Sequence, residues 1–523
     1  MSQRENLPKS DQELGPGDKE TKETSLRKGT LGLFGIIFFV VAASAPLAGM
    51  TGAFPVAVAL GDGAGAAGMY LVVGIVLLIF SVGYATMSHY VTNTGAFFAY
   101  VGRGLGIVPG VGSAFVSVLA YLTVQWAVIG FIAAQMSFQF NSKFGLDLPW
   151  YVYALVIVVI VWGLSAVSVD IGAKVLGVLL VVELLALVIV GIAAIANGGP
   201  EGPNFAASFS PGEIFAGGLV GGAGIAFAFA LASFIGFEAT AIYGEESKDP
   251  KKTVPRATYI SVILITVIFA FVGFGLVTGL GSTDIANKVF EATAIDGVPL
   301  ADPSGMLFGL STQFVGSWLT ELFGWIVLTS LFAATLAFQN SAARYFFSMG
   351  RAGVLPKALD RTNKFQAPFV ATSLVTILAI ILVVVGIVLS WDPILNIFYW
   401  FSSVAVIAIV VTEILVSIAV IAYFRRTKED TRVWHTMIAP LLAIVGLVLG
   451  LVMLISRYNL LAGVAVDPAM CPGEAGSGCG PFEMNGTGWL LVLSPFVLLV
   501  IGMIVGATRR RSENYDAVRN FVS

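Results

Sequence analysis

Residues Ala42-Ala43-Ser44-Ala45-Pro46-Leu47-Ala48-Gly49 lie in the middle of an apolar run that extends from about Leu33 to Leu60. As one continuous α-helix that run would be about 42 Å long, well beyond the roughly 30 Å of a bilayer's hydrocarbon core. It must tilt strongly or break. Pro46 lacks a backbone donor and clashes with the preceding turn, and Gly49 tolerates non-helical backbone, so a break is expected here. A second run of matching length, about Gly217 to Tyr243, carries Ser233-Phe234-Ile235-Gly236-Phe237-Glu238 in its second half. Unwound backbone at mid-membrane depth is tolerated only where it faces a cavity or a ligand. A lone Pro or Gly merely kinks a membrane helix. Two interruptions at corresponding places, five helices apart, point instead to an inverted-repeat transporter.

The rest of the 523-residue chain agrees with a lipid environment. It is 57% hydrophobic and 11% charged, against roughly 25% charged in a soluble domain. Twelve segments are long enough to span, at about 31–60, 66–90, 105–136, 149–167, 171–196, 213–244, 257–281, 317–347, 368–390, 394–424, 434–456 and 487–508. They are called segments one to twelve below. Residues 1–28 are polar and are expected to form a disordered tail. The expected organisation is a first repeat over 29–196, a second over 197–426, two further helices over 427–508, and a second tail over 509–523.

Charge supplies an orientation. With both tails in the cytoplasm, all but Lys143, Lys288 and Arg457 of the 28 Lys and Arg residues fall on the cytoplasmic side, as the positive-inside rule requires. The expected location is the plasma membrane. A net charge of −3 excludes a basic surface for nucleic acid, and two histidines with two cysteines are too few for an intramembrane metal site. No cofactor or metal is expected, and no phosphate-cradling GxxxxGK[ST] run occurs. Cys471 and Cys479 bracket a short outer loop, where a disulfide and two free thiols are both compatible with the sequence.

Three stretches carry a resemblance. Ser233 to Ala257, with Glu238-Ala-Thr-Ala-Ile-Tyr-Gly-Glu-Glu-Ser-Lys-Asp-Pro inside it, is similar to the helix 6 to helix 7 signature of the amino acid-polyamine-organocation (APC) superfamily of permeases. Asn340 to Pro356 and Thr94 to Gly106 resemble that superfamily's segments after helix 8 and between helices 2 and 3. The resemblance implies an all-α membrane protein with a five-plus-five inverted-repeat (LeuT-type) core, helices 1 and 6 broken, plus two C-terminal helices. It also implies transport of amino acids or related amines. Substrate carboxylate and ammonium are then expected along Ser44, Ala45, Pro46, Leu47, Ala48 and Gly49, and along Ser233, Phe234, Ile235, Gly236 and Phe237. Many members carry a Gly-x-Gly-like turn in helix 1, which Ser44 to Gly49 lacks.

Glu183, Glu238 and Glu413 lie deep in segments five, six and ten. A carboxylate there costs a few kcal/mol and must be protonated, paired or facing water. Glu183 is the foremost candidate to carry a proton. In resembling proton-driven permeases a lysine of helix 5 stands at a similar place, in lieu of a sodium ion. A carboxylate suits either H⁺ or Na⁺, and the hydroxyl-poor run Leu331 to Ala337 of segment eight favours the proton. A static hydrogen bond to a neighbouring helix is the alternative for Glu183. Glu238, just past the second break, is expected either to couple substrate occupancy to the inner half-helix or to act as a static acceptor. Glu413 reads as structural. Trp126, Phe229, Phe234 and Trp400 are candidates for an aromatic lid, and Gln125 for a hydrogen bond to a polar substrate side chain. The expected function is secondary active transport of an amino acid or amine by alternating access. Proton symport is the first expectation, with exchange and then a non-transporting membrane sensor as the alternatives; an enzyme would need a convergent catalytic set that the chain lacks.

Overall fold

The computed structural model describes residue 29 and residues 31–91, 95–167 and 169–509, with the side chains of 169–176 and 509 outside the description. The expected tails, apart from residue 509, and Thr94 of the third resembling stretch therefore lie outside the described residues. Within them the chain is helical, and eleven helices are long and apolar enough to cross a membrane. The difference from twelve segments has one source. Leu33–Ser88 is a single 56-residue apolar stretch that holds segments one and two together. At 1.5 Å per residue it would be about 84 Å long if straight. It is not straight. The backbone leaves the helix at Ala45, at Gly61 (φ −93, ψ −122) and at Gly63 (φ +60, ψ −125), before Ala66–Ser88 begins.

Burial sorts the helices into an inner and an outer set. The apolar window of Ala223–Ile242 is 94% buried, whereas that of Gly486–Thr508 is 22% buried. Segment six is thus surrounded by protein, and segment twelve turns most of its face outward, as lipid-facing helices do. Ile107–Phe144, the long third segment, packs against Ser317–Arg351, Tyr399–Thr427 and Gly486–Arg509. Small residues permit the closest approaches. A Cβ on Gly222 would lie 2.0 Å from the carbonyl oxygen of Gly61, so the end of segment one and the start of segment six touch backbone to backbone. Such contacts replace the hydrophobic effect, which does not act between helices in lipid.

One end of the bundle is tied by ion pairs. Arg344 Nε donates to Glu246 Oε1 at 2.8 Å, with the two side chains only 3% and 7% exposed. The same guanidinium donates to Asn340 O at 3.2 Å and lies 4.8 Å above the Tyr243 ring. Arg351 pairs with Glu245 at 2.7 Å. The chain entering segment one is stitched to this site, because Leu31 N–H donates to Glu246 O at 3.1 Å and Lys248 N–H to Leu31 O at 2.9 Å. At the opposite end Cys471 and Cys479 are bonded, with Cα atoms 5.2 Å apart. Their loop folds around Glu483, whose carboxylate accepts from the N–H groups of Gly480 at 2.9 Å and Gly478 at 2.6 Å, and from Gly476. These donors, that of Gly480 foremost, hold its carboxyl below the usual range. Arg457 joins the loop to the start of segment six by donating to Val220 O at 2.6 Å.

The Arg344–Glu246 pair predicts an asymmetric mutational response. Arg344→Met leaves Glu246 buried and unpaired and should cost about 3–5 kcal/mol. The double variant Arg344→Met/Glu246→Leu should recover most of that loss. Thermal unfolding of the single and double variants in lipid nanodiscs checks this, and equal destabilisation by both would contradict it.

Candidate functional site

The first break is set by local stereochemistry. A residue before proline is disfavoured in the right-handed α region, so the helix stops at Ala45, which stands in the left-handed region at φ +41, ψ +72, a conformation that strains an alanine. Helical backbone resumes at once over Pro46–Ala48 and continues through the wider turn Gly49–Ala53. The interruption is therefore narrower than the six-residue stretch expected from sequence. Pro46 has no N–H to give, and the Leu47 N–H donates to Glu183 Oε1 at 2.6 Å. Ser330 Oγ donates to the same carboxylate oxygen at 3.0 Å. Glu183, 3% exposed, thus joins segment five to the break in segment one and to segment eight. A small recess beside it is lined by Ala42, Leu180, Thr329, Ser330 and Ala333. The sequence reading stopped at Leu331 and missed the two hydroxyls immediately before it.

The second break is broader. Ala223–Phe234 ends where Ile235 turns to ψ +128, and Gly236 follows at φ +119 before the short helix Ala239–Ile242. Gly236 N–H donates to Glu238 Oε2 at 2.9 Å, and the other carboxylate oxygen accepts from Tyr121 Oη at 2.8 Å. Tyr84 Oη donates to the Glu238 backbone oxygen at 2.5 Å. The two breaks touch. A Cβ on Gly236 would stand 2.7 Å from the Cβ of Ala43, and one on Gly49 would stand 3.1 Å from Ser233 Oγ. Glu413, fully buried in segment ten, has no hydrogen-bond partner for either oxygen among the described residues.

A cavity opens between the breaks. Of the sequence-designated residues it is lined by Ser44, Ala45, Ala48, Gly49, Phe229 and Ser233. Pro46, Leu47, Ile235, Gly236, Phe234 and Phe237 are not on its wall. Phe234 packs edge-on against Phe269 at 5.7 Å, and Phe237 against Phe80 at 6.0 Å. Of the four expected lid rings only Phe229 lines the cavity, and Phe234, Trp126 and Trp400 do not. Trp400 Nε1 donates to Ala462 O at 2.7 Å and its ring lies against Trp391, while the Trp126 ring lies against Phe401 at 5.3 Å, so both are held away from the cavity. The ring pair that does line it is Phe131 and Phe398, stacked at 4.7 Å. Gln125 likewise turns from the cavity to Gln339, which is itself bonded to Thr372 O and Thr376 Oγ1. The pairs Gln125–Gln339, Trp126–Phe401 and Phe131–Phe398 join residues more than 200 positions apart, a separation that periodicity does not report.

Comparison with known proteins supplies the family. The profile described as "Amino acid permease" matches residues 35–472. The chain belongs to the amino acid permease family, within the APC superfamily. It is similar to a branched-chain amino acid permease of Lactococcus lactis, 28% identical over 62% of this chain and 68% of that protein. It is also similar to the large neutral amino acids transporter small subunit 2 of Mus musculus, 26% identical over 62% of this chain and 59% of the relative. A D-serine/D-alanine/glycine transporter of Escherichia coli is 26% identical over 46% and 50%. Permeases are transporters and not enzymes, and the chain carries the membrane-spanning helices of one.

Gly236 is a position where this permease has little tolerance for a side chain. Its φ of +119 strains any L side chain by about 1–3 kcal/mol, and an added Cβ must displace Ala43. Gly236→Ala should therefore lower the melting temperature and abolish substrate-induced stabilisation, whereas Ala230→Gly, in the same half-helix but off the cavity wall, should leave substrate-induced stabilisation in place. A thermal-shift comparison of the two variants decides this.

Proposed function

We propose that the protein is a plasma-membrane secondary transporter that moves an amino acid by alternating access, with a proton carried on Glu183. The observation that carries the reading is that both helix breaks border one cavity, and that the donor freed at the first break is held by a carboxylate from segment five. The positive end of the half-helix beginning at Pro46 suits a substrate carboxylate, and the carbonyl ends at Ser44 and Phe234 suit its ammonium. The relatives' names agree on amino acids and differ in side chain, so they support the substrate class and no single substrate.

In this reading segments one and two are separate crossings, divided at Gly61 to Gly65, which makes twelve. Residues 29–196 and 197–426 are the two inverted halves, and 427–508 the added pair. Both tails are cytoplasmic, and the Arg344–Glu246 end is the inner closure. Protonation of Glu183 would weaken its hold on the Leu47 N–H, so proton occupancy and the position of segment one are coupled. Substrate must bind the occluded form more tightly than the open ones, or it shifts nothing.

A specific observation favours a second reading of the driving ion. Thr329 and Ser330 place hydroxyl oxygens beside Glu183, and oxygen ligands suit sodium. Uptake into proteoliposomes under an imposed pH gradient or an imposed sodium gradient separates the two. The proton reading expects accumulation with the pH gradient alone. Glu183→Gln should abolish that accumulation while retaining exchange of internal for external substrate. Accumulation by Glu183→Gln with unchanged pH dependence would remove the proton role, and accumulation driven by sodium alone would install the second reading.

A further inference from the structure

The cavity wall beyond the two breaks is built from Val124, Val128, Leu331, Ala334 and Phe338 of segments three and eight, facing Phe229 of segment six. No charged side chain, amide, imidazole or indole is among its lining residues. Its polar side chains are three serines, and each has already committed its one proton. Ser44 Oγ donates to Val41 O at 2.8 Å, Ser233 Oγ to Phe229 O at 2.8 Å, and Ser402 Oγ to Phe398 O at 2.6 Å. Ser233 is also paired with Tyr70 Oη at 3.1 Å. A hydroxyl has one donor, so these groups can accept and not donate. The amide nearest in sequence to the wall, Gln125, is turned to Gln339 and away from it.

We propose that this site selects zwitterions with neutral, apolar side chains, of the leucine, isoleucine, valine, methionine and phenylalanine type, and rejects cationic, anionic and amide side chains. The inference rests on the reading of the cavity as the amino-acid site and adds its side-chain chemistry. The backbone termini at the breaks are the same for every α-amino acid, so they recognise the common part and leave discrimination to the wall. A carboxamide placed against Leu331 and Ala334 loses its water and finds no donor in return. That unmatched burial corresponds to a ten- to hundredfold loss of affinity, and a full charge loses more. Each methylene buried against the same wall gains about fourfold. Leucine is therefore preferred over alanine by more than tenfold, and over glutamine, of similar length, by ten- to a hundredfold.

The test uses the full chain in proteoliposomes and, in parallel, the same preparation in a thermal-shift assay with each amino acid alone. Expected are competition against labelled leucine by isoleucine, valine, methionine and phenylalanine, and at least tenfold weaker competition by glutamine, arginine and glutamate. Leu331→Gln, which places a donor on the wall, should narrow the leucine-to-glutamine ratio at least tenfold. Stabilisation by leucine and not by glutamine, without uptake of either, supports the selectivity while sinking the transport reading. Uptake in which arginine, glutamate or glutamine rivals leucine within threefold overturns the selectivity while sparing transport. Stabilisation by none of the panel overturns both.

Discussion

A helix that stops inside a hydrocarbon layer leaves backbone donors that no water can satisfy, and the molecule meets this constraint twice in the same way. At the first break the Leu47 N–H is taken by Glu183, and at the second the Gly236 N–H is taken by Glu238. Each unsatisfied amide would cost several kcal/mol in lipid, and each buried carboxylate would cost comparably if left alone. Brought together, the two liabilities offset one another. The arrangement also makes the breaks responsive, because anything that alters either carboxylate alters the backbone it holds.

The surrounding architecture keeps those two contacts in register. Segment six lies at the centre with segment one against it, and glycine contacts at Gly61–Gly222 and Gly236–Ala43 bring the two together above and below the cavity. Glu183 spans from segment five to segment one and accepts from Ser330 of segment eight, while Tyr121 of segment three reaches Glu238. A displacement of segment one therefore disturbs its hydrogen bond to Glu183 of segment five, and a displacement of segment six disturbs those to Tyr84 of segment two and Tyr121 of segment three. The Arg344–Glu246 pair ties one end of this assembly and the Phe131–Phe398 stack borders the cavity wall. In the proposed cycle these are the contacts that exchange when access alternates.

Much of this was legible in the sequence because it is local. Pro46 bars helical backbone one residue earlier at Ala45, Gly236 supplies the positive φ of the second break, and run length against bilayer thickness marks the membrane helices. What sequence did not report is which side chains the fold brings to these points. The partner of Glu183 lies 136 residues away at Leu47. The hydroxyls of Thr329 and Ser330 stand immediately before the hydroxyl-poor run Leu331 to Ala337, and only the packing of segments five and eight brings Ser330 to Glu183. Trp126 and Trp400 share residue type with real cavity aromatics, yet their rings find neighbours in Phe401 and Trp391. Phe131 and Phe398 became a pair only through the packing of segments three and ten. Register between distant helices, which small residues set, decides such questions.

The central claim is that the two breaks form one substrate-binding unit, and hydrogen–deuterium exchange of the backbone amides tests it most directly. Addition of leucine to the reconstituted protein is predicted to slow exchange together in the peptides covering residues 42–49 and 233–238, with no comparable change at residues 486–508. Unchanged exchange at both breaks in a preparation that takes up leucine would contradict the account.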